Sequence, residues 1–237
     1  MRVWVICPCF LDTESFLRVR EEAVSALASV VSGAPVKFVL IDDTAGLDGL
    51  VAQISLPDVT VVTPPYNLGH QGALVFALRG MGASVEENDL VITMDSDGED
   101  RPQDIQALVQ PLLDAPTNLH RIAIAIRTRR SEGLLFKFCY MGFKLVFRAL
   151  TGTVIRNGNF AAYRGWFLRD VIFHPHFDQC YSSSFVSLPM QVEKVPLPRG
   201  IRYAGKSRMG FMGLVTHGIR MLMPFSERIA TRGIVYS

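Results

Sequence analysis

Short apolar runs alternate with helical patterns through the first half of the chain, and this alternation constrains the fold more than any other feature. A strand that is apolar at nearly every position is covered on both faces, as in a parallel sheet between layers of helices. The predicted strands are the runs VWVIC, VKFVLI, VTVVT, LVITM and IAIAI. The predicted helices are residues 14–31, residues 70–81 and a segment that starts after Pro102. The sequence therefore predicts an α/β fold with a mostly parallel sheet and helices on both faces.

The second half of the chain is less regular. Residues 133–150 are predicted to form a long apolar helix, with Lys137, Lys144 and Arg148 near one face. Its remaining surface is broadly apolar, through Leu134, Phe136, Phe138, Met141, Phe143, Leu145 and Phe147. This pattern predicts a helix that lies in a bilayer interface with these side chains exposed, and the alternative is a buried amphipathic helix whose lysines extend to solvent. The run NFAAY is predicted to be a strand, and an apolar helical segment extends to about residue 223.

No composition shift marks a linker, so we expect one domain over residues 1–208. Its first half comprises residues 1–126 and its second half comprises residues 127–208. Residues 209–237 are expected to form an amphipathic segment close to a membrane.

The net charge of +2 hides a strong asymmetry along the chain. Residues 1–126 contain 7 Lys and Arg against 17 Asp and Glu, whereas residues 127–237 contain 17 against 5. A carboxylate-rich half joined to a basic half indicates a cation on one side and anionic ligands on the other, although two differently solvated faces would give the same numbers. Nucleic-acid binding is not expected, because the basic residues lack a recognition module.

The remaining global signals exclude several classes of protein. Cys7, Cys9, Cys139 and Cys180 lack the spacing of a disulfide framework or a zinc site, so reduced thiols are expected. The first apolar run is interrupted by Pro8 and has no cleavage site, which favours a strand over a signal peptide. The apolar stretches are too short to span a bilayer.

An acidic cluster follows the fourth predicted strand in the run MDSDGEDRP. Asp95, Asp97 and Glu99 place carboxylates at alternate positions, where their oxygens can meet around a hard cation such as Mg²⁺ or Mn²⁺. A bound metal would relieve the repulsion between these groups. Asp100 is instead expected to cap the helix that begins near Pro102.

Seven blocks in order resemble the family 2 glycosyltransferases of the GT-A (Rossmann-like) fold. Within that family the chain is most similar to polyprenyl-phosphate glycosyltransferases of the dolichol-phosphate mannose synthase type. The blocks are VICPCFLD, IDDTAGLDG, NLGHQGAL, MDSDGEDRPQDI, RTRRSEG, GNFAAYR and RYAGKSRM. The resemblance implies an inverting transfer that gives a β-linked product from an α-linked nucleoside diphosphate sugar. It also implies that residues 1–126 bind nucleotide and metal and that residues 127–208 bind the acceptor.

The resemblance also assigns roles on the donor side. A nucleoside pocket is implied for Pro8, Phe10, Asp12 and Asp43, with Asn67, Gly69 and Gly72 shaping the neighbouring loop and helix start. The alternative is that these glycines serve only the backbone conformation of a turn. Asp95 would lie near the ribose and, with Asp97 and Glu99, at the metal. Arg202 and Arg208 would contact the leaving diphosphate. His70 and His217 are expected to be structural.

The acceptor side is predicted from three arginines and one asparagine. Arg127, Arg129 and Arg130, with Ser131, suit a lipid phosphate, although a solvated loop is the alternative. Many relatives carry Asp where this chain has Asn159, and an amide is no useful proton acceptor. A phosphate acceptor is already ionised and needs no general base, whereas a hydroxyl acceptor does. The residues expected to act in catalysis are Asp97, Arg127, Arg130 and Arg202.

Three functions remain in competition. The leading hypothesis is a metal-dependent transferase that acts on polyprenyl phosphate at the cytoplasmic face of a membrane, to which the chain binds peripherally. The alternatives are a soluble family 2 transferase acting on a carbohydrate or small-molecule hydroxyl, and a non-catalytic nucleotide-sugar-binding protein. Self-association is left open, as are the sugar and the base.

Overall fold

The computed structural model describes residues 1–117, 119–128, 134–205 and 210–236, and only the backbone of 134–140, 211 and 235–236. Within these ranges no helix is both long and apolar enough to cross a membrane. Arg129, Arg130, Ser131 and Arg208, as well as the side chain of Lys137, lie outside the described part, so the roles given to them stay predictions.

The described residues form one seven-stranded sheet with the order β3-β2-β1-β4-β6-β5-β7. Its strands are β1 (Val3–Cys9), β2 (Val36–Asp42), β3 (Val59–Val62), β4 (Leu90–Thr93), β5 (Arg121–Arg127), β6 (Asn157–Arg164) and β7 (Gln191–Leu197). Only β6 runs against its neighbours, pairing antiparallel with both β4 and β5. The mostly parallel sheet and the first five predicted strands are confirmed.

Helices cover both faces of this sheet. They are α1 (Thr13–Ala28), α2 (Gly69–Gly80), α3 (Ile105–Leu113), α4 (Leu134–Thr151), α5 (Trp166–Asp170), α6 (His176–Gln179), α7 (Tyr181–Ser187), α8 (Phe211–Leu222) and α9 (Ser226–Tyr236). A 3₁₀ turn at Pro102–Asp104 precedes α3. The predicted helices therefore exist, with ends that differ by up to three residues.

Two apolar cores lie on opposite faces of the sheet. On one face, Phe16 of α1 packs edge-on against Phe38 of β2, with ring centroids 6.3 Å apart. On the other face, Tyr163 of β6 stacks on Phe167 of α5 at 4.1 Å, and the α2 side chains join the same core. Burial of both sheet faces is the reason that the central strands β1 and β4 are apolar along most of their length.

A third, smaller core attaches α4 to the C-terminal helices. Phe147 is buried against Phe225 with ring centroids 5.4 Å apart, and Ile155 completes the cluster. The prediction that Phe147 widens an exposed apolar surface is therefore wrong. Met141 and Leu145 of the same helix are exposed by 56% and 66%, so part of the predicted apolar surface does face solvent.

Strand β7 and the short helices α5, α6 and α7 were not predicted from the sequence. Strand β7 lies at the edge of the sheet beside β5, and most of its residues are partly or fully exposed, including Glu193 and Lys194. An edge strand needs no continuous apolar run and tolerates charge and proline, which hides it from a hydrophobicity pattern.

Candidate active site at the carboxyl ends of the strands

The polar residues predicted to act together lie at the carboxyl ends of β1, β2 and β4. These parallel strands are neighbours in the sheet, so the segments that follow them meet at one edge. The N–H group of Asp43 donates to the carbonyl of Cys9 at 3.0 Å, and that of Met94 donates to Ile6 at 3.1 Å. The register of the sheet therefore brings the first, second and fourth sequence blocks together.

The acidic cluster has the geometry of a cation site. One carboxylate oxygen from each of Asp95, Asp97 and Glu99 lies within 4.8 Å of the other two. Gly98 between them has φ +87°, a left-handed conformation that lets the N–H of Glu99 turn back to Asp97 at 2.8 Å. Burial, reinforced by the charge of Asp95, raises the pKa of Asp97 to about 6. Such crowded oxygen donors fit a hard divalent cation.

Among the described residues, three arginines and one histidine surround the same carboxylates. Arg199 and Arg202 come from the segment after β7, Arg127 from the end of β5 and His70 from α2. Nη2 of Arg202 lies 2.5 Å from Asp97 and its Nη1 lies 3.4 Å from Asp12. The pairs that complete the ring are Arg199 with Glu99, Arg127 with Asp95 at 4.0 Å, and His70 with Asp95 at 2.9 Å. Burial raises the pKa of Asp95, yet the charges of His70 and Arg127 lower it overall.

Asp100 does not cap a helix, which corrects the prediction for this residue. Its side chain is buried and accepts a hydrogen bond from the N–H of Asp95 at 3.0 Å, while Oδ1 lies 3.9 Å from Arg127. The turn that precedes α3 begins after Arg101 without a side-chain cap. Asp100 thus stabilises the loop that carries the acidic cluster, and burial raises its pKa to about 7.

The predicted nucleoside residues lie beside this cluster. Asp43 is buried, and its carboxylate accepts a hydrogen bond from the N–H of Leu68 at 2.8 Å. Nδ2 of Asn67 donates to the carbonyl of Asp43 at 3.0 Å, which ties the loop before α2 to the end of β2. Gly69 has φ +69°, as a tight entry into α2 requires. Gly72 is packed closely, since a Cβ there would lie 3.1 Å from Leu68.

The residues that follow β1 differ in exposure. Pro8 lies within the strand and is buried, whereas Phe10 is 39% exposed beside the crevice. An exposed aromatic ring at a strand end offers a flat surface for a base. Asp12 faces Arg202 across the crevice. Assignment of these groups to a nucleoside pocket remains a prediction.

The segment after β7 closes one side of the acidic cluster, and sequence reasoning found only part of it. The N–H groups of Gly200 and Tyr203 donate to the carbonyls of Glu99 and Asp97, both at 2.8 Å. A Cβ at Gly98 would lie 2.7 Å from the Tyr203 ring, so this close approach requires glycine. Arg199 was not singled out from the sequence, because its partner Glu99 lies 100 residues away.

Asn159 lies at the centre of the site on β6. Its Nδ2 is 3.5 Å from Oδ1 of Asp95, and its Oδ1 accepts a hydrogen bond from Gln71 of α2. Gln71 was also missed, although it stands inside the NLGHQGAL block next to His70. Gly158 is packed under Arg127, where a Cβ would lie 3.1 Å from the guanidinium.

Comparison with known proteins agrees with this architecture. The family model for glycosyl transferase family 2 matches residues 4–168. A crystal structure described as that of a mycobacterial protein is 18% identical with a TM-score of 0.56, over 95% of this chain and 75% of that one. Mannosyl-3-phosphoglycerate synthase from Rubrobacter xylanophilus is 16% identical with a TM-score of 0.53, over 98% of this chain and 75% of that one.

The sheet, its helices and the acidic strand end define an α/β glycosyltransferase of the GT-A type. The chain belongs to glycosyl transferase family 2, whose members transfer sugars from nucleotide-sugar donors. The predicted fold and enzyme class are thereby confirmed.

Proposed function

We propose that this glycosyltransferase moves a sugar from a nucleoside diphosphate sugar to a polyprenyl phosphate, with inversion at the anomeric carbon. Asp95, Asp97 and Glu99 would hold the Mg²⁺ or Mn²⁺ that the reaction requires. The nucleoside would lie against Phe10, with Asp43 as a partner for the base.

The choice of acceptor rests on the ion pairs that the carboxylates form at the carboxyl ends of the strands. Asp12 and Asp97 face Arg202, Glu99 faces Arg199, and Asp95 faces His70 and Arg127. Position 159 is an amide. A hydroxyl acceptor needs a carboxylate or imidazole free to take its proton, whereas an acceptor phosphate is already ionised near neutral pH. The site therefore favours a phosphate as nucleophile.

In the proposed reaction an oxygen of the acceptor phosphate attacks the anomeric carbon. The bond from that carbon to the donor diphosphate breaks, and its electron pair leaves with the nucleoside diphosphate. A divalent cation at the carboxylates would supply Lewis-acid stabilisation of the leaving group. Arg202 would contact the same diphosphate, and Arg127, at the end of β5, would bind the acceptor phosphate.

The experiment that tests the acceptor compares a short polyprenyl phosphate with the matching neutral polyprenol. Purified protein would be incubated with Mn²⁺ or Mg²⁺ and a panel of nucleotide sugars, and lipid-linked sugar would be detected by mass spectrometry. We expect product from the phosphate alone. Faster transfer to the polyprenol or to a carbohydrate hydroxyl would contradict the proposal while leaving the glycosyltransferase assignment intact.

A related prediction concerns Asn159. If no protein base acts on the acceptor, Asn159→Ala should lower kcat only about tenfold, which corresponds to one hydrogen bond. Asp97→Ala should lower it far more. Asn88→Ala, which removes an exposed amide in the segment before β4, serves as the control. A loss at Asn159 equal to that at Asp97 would mean that the amide does more than position its neighbours.

We also propose that the enzyme binds the surface of an anionic membrane through α4 and α8. Exposed apolar side chains of the two helices include Leu145, Met212 and Ile219, and Arg148 and Arg220 are exposed on the same helices. Helices α4 and α8 contact each other through Phe143, which packs against Gly218. Apolar side chains with neighbouring cations are typical of helices that lie in a bilayer interface.

Vesicle binding tests this surface. Changing Lys137, Lys144 and Arg148 together to Gln should weaken sedimentation with anionic liposomes, because each cation near such a surface contributes about 1 kcal/mol. Added salt should release the wild type, since exposed charges are screened. A control variant with Lys37, Arg169 and Lys194 changed to Gln loses equal charge from other elements. Equal binding to neutral and anionic vesicles, or none to either, would remove the interfacial role.

A further inference from the structure

A line of polar groups connects α7 to the acidic cluster through the interior of the site. The backbone N–H of Ser182 donates to Oε1 of Gln71 at 2.9 Å. Nε2 of Gln71 then donates to Oδ1 of Asn159, and Nδ2 of Asn159 points to Oδ1 of Asp95 at 3.5 Å. Two amides thus stand between a backbone donor and a carboxylate.

Both ends of this line have a fixed hydrogen-bonding character. A backbone N–H can only donate, and an ionised carboxylate can only accept. The thiol of Cys180 lies 3.5 Å from the same oxygen of Gln71, as a second donor to it. Turning either amide by 180° would place two acceptors or two donors against each other. The orientation of both side chains is therefore determined by their surroundings, because buried polar groups are paired in native structures.

Asn159 and Ser182 are also held firmly in place. Asn159 is only 8% exposed, and its carbonyl accepts a hydrogen bond from Thr93 at 2.6 Å. Nδ2 of Asn157 donates to the carbonyl of Ser182 at 2.6 Å, which ties α7 to β6. The amides therefore lie between rigid elements of the sheet and its covering helices.

We infer that Gln71 is a positioning residue, which fixes the amide of Asn159 with its NH₂ group toward Asp95 and the reacting groups. The inference rests on the proposed place of the donor beside Asp95. It gives Asn159 a definite function as a directed N–H donor in a site crowded with carboxylates. It also explains why an amide suits this position, since a carboxylate there would face Asp95 with a second negative charge.

Nuclear magnetic resonance of the free protein tests the orientation without any ligand. The side-chain NH₂ signals of Asn159 would be identified by their loss in Asn159→Ala. Asp95→Asn should shift these signals in the wild-type background. In Gln71→Glu the Asn159 amide should turn its NH₂ toward the new carboxylate, so Asp95→Asn should then shift the signals much less. Equal shifts in both backgrounds would overturn the inference.

A second variant covers the case in which Gln71→Glu does not fold. Gln71→Met keeps the length of the side chain, adds no charge and removes the donor that holds the Asn159 oxygen. The NH₂ protons of Asn159 should then exchange faster with solvent. Unchanged exchange would contradict the inference. Gln106→Glu on the exposed side of α3 controls for added charge.

Turnover provides the third readout. Gln71→Glu should lower kcat about tenfold with little change in the KM for the donor, and more than Gln71→Met does. In the Asn159→Ala background the same change should have less than about a twofold effect, because Gln71 acts through Asn159. Additive losses would show that Gln71 does not act through Asn159. If the wild type hydrolyses donor but transfers nothing to polyprenyl phosphate, the acceptor proposal fails, while the magnetic resonance result still decides this inference.

Discussion

Asp97→Ala is expected to reduce sugar transfer by at least about 10³-fold while the fold survives. A cation at a leaving diphosphate contributes several kcal/mol of transition-state stabilisation, and each 1.36 kcal/mol is about tenfold in rate. Asp97 lies in the middle of the acidic cluster, within 4.8 Å of oxygens from Asp95 and Glu99. Removing this carboxylate should therefore weaken the binding of Mn²⁺ as well as turnover.

The measurements are initial rates of nucleoside diphosphate release and Mn²⁺ binding by calorimetry. Asp170→Ala, which removes an exposed carboxylate at the end of α5, is the matched control and should behave as wild type. Circular dichroism would show whether the variant is folded. Full activity in Asp97→Ala, or undiminished wild-type activity in EDTA, would refute the metal assignment.

Arg202→Ala should lower turnover by about 10²- to 10³-fold, because the leaving diphosphate loses a direct contact with the guanidinium and not the cation. Its guanidinium lies between Asp12 and Asp97, where it can contact the diphosphate of the donor. Loss of the arginine leaves these two carboxylates with less compensating charge. Mn²⁺ should consequently bind at least as tightly as in the wild type, whereas the nucleoside diphosphate should bind more weakly.

The opposite effects of the two substitutions on Mn²⁺ binding distinguish the role of Arg202 from that of Asp97. Arg202→Lys should retain part of the activity, since it keeps the charge and loses the forked geometry of the guanidinium. Arg169→Ala is the control, because Arg169 of α5 donates a hydrogen bond to the carbonyl of Val85 in the segment that precedes β4. Weakened Mn²⁺ binding in Arg202→Ala would show that this arginine supports the acidic loop instead of the donor.

The sequence alone determined the first five strands and the position of the acidic cluster. Strands β1, β2 and β4 are mostly apolar, and an aspartate follows each of them within three positions. Because neighbouring parallel strands end at the same edge, local patterns were enough to place Asp12, Asp43 and Asp95 together. The same reasoning failed for Asp100, whose proximity to Pro102 suggested a cap that burial and the contact with Asp95 exclude.

Only the tertiary structure decided which side chains complete the site. Glu99 meets Arg199 and Asn159 meets Gln71 across separations of 100 and 88 residues. The hydrophobic period of a helix or strand does not reveal such pairs, because they depend on the antiparallel insertion of β6 and on the exposed edge strand β7. The direction of each hydrogen bond is likewise a property of the folded surroundings. An isolated amide turns freely, whereas the amide of Asn159 is oriented by the backbone N–H of Ser182, acting through Gln71, and by the carboxylate of Asp95.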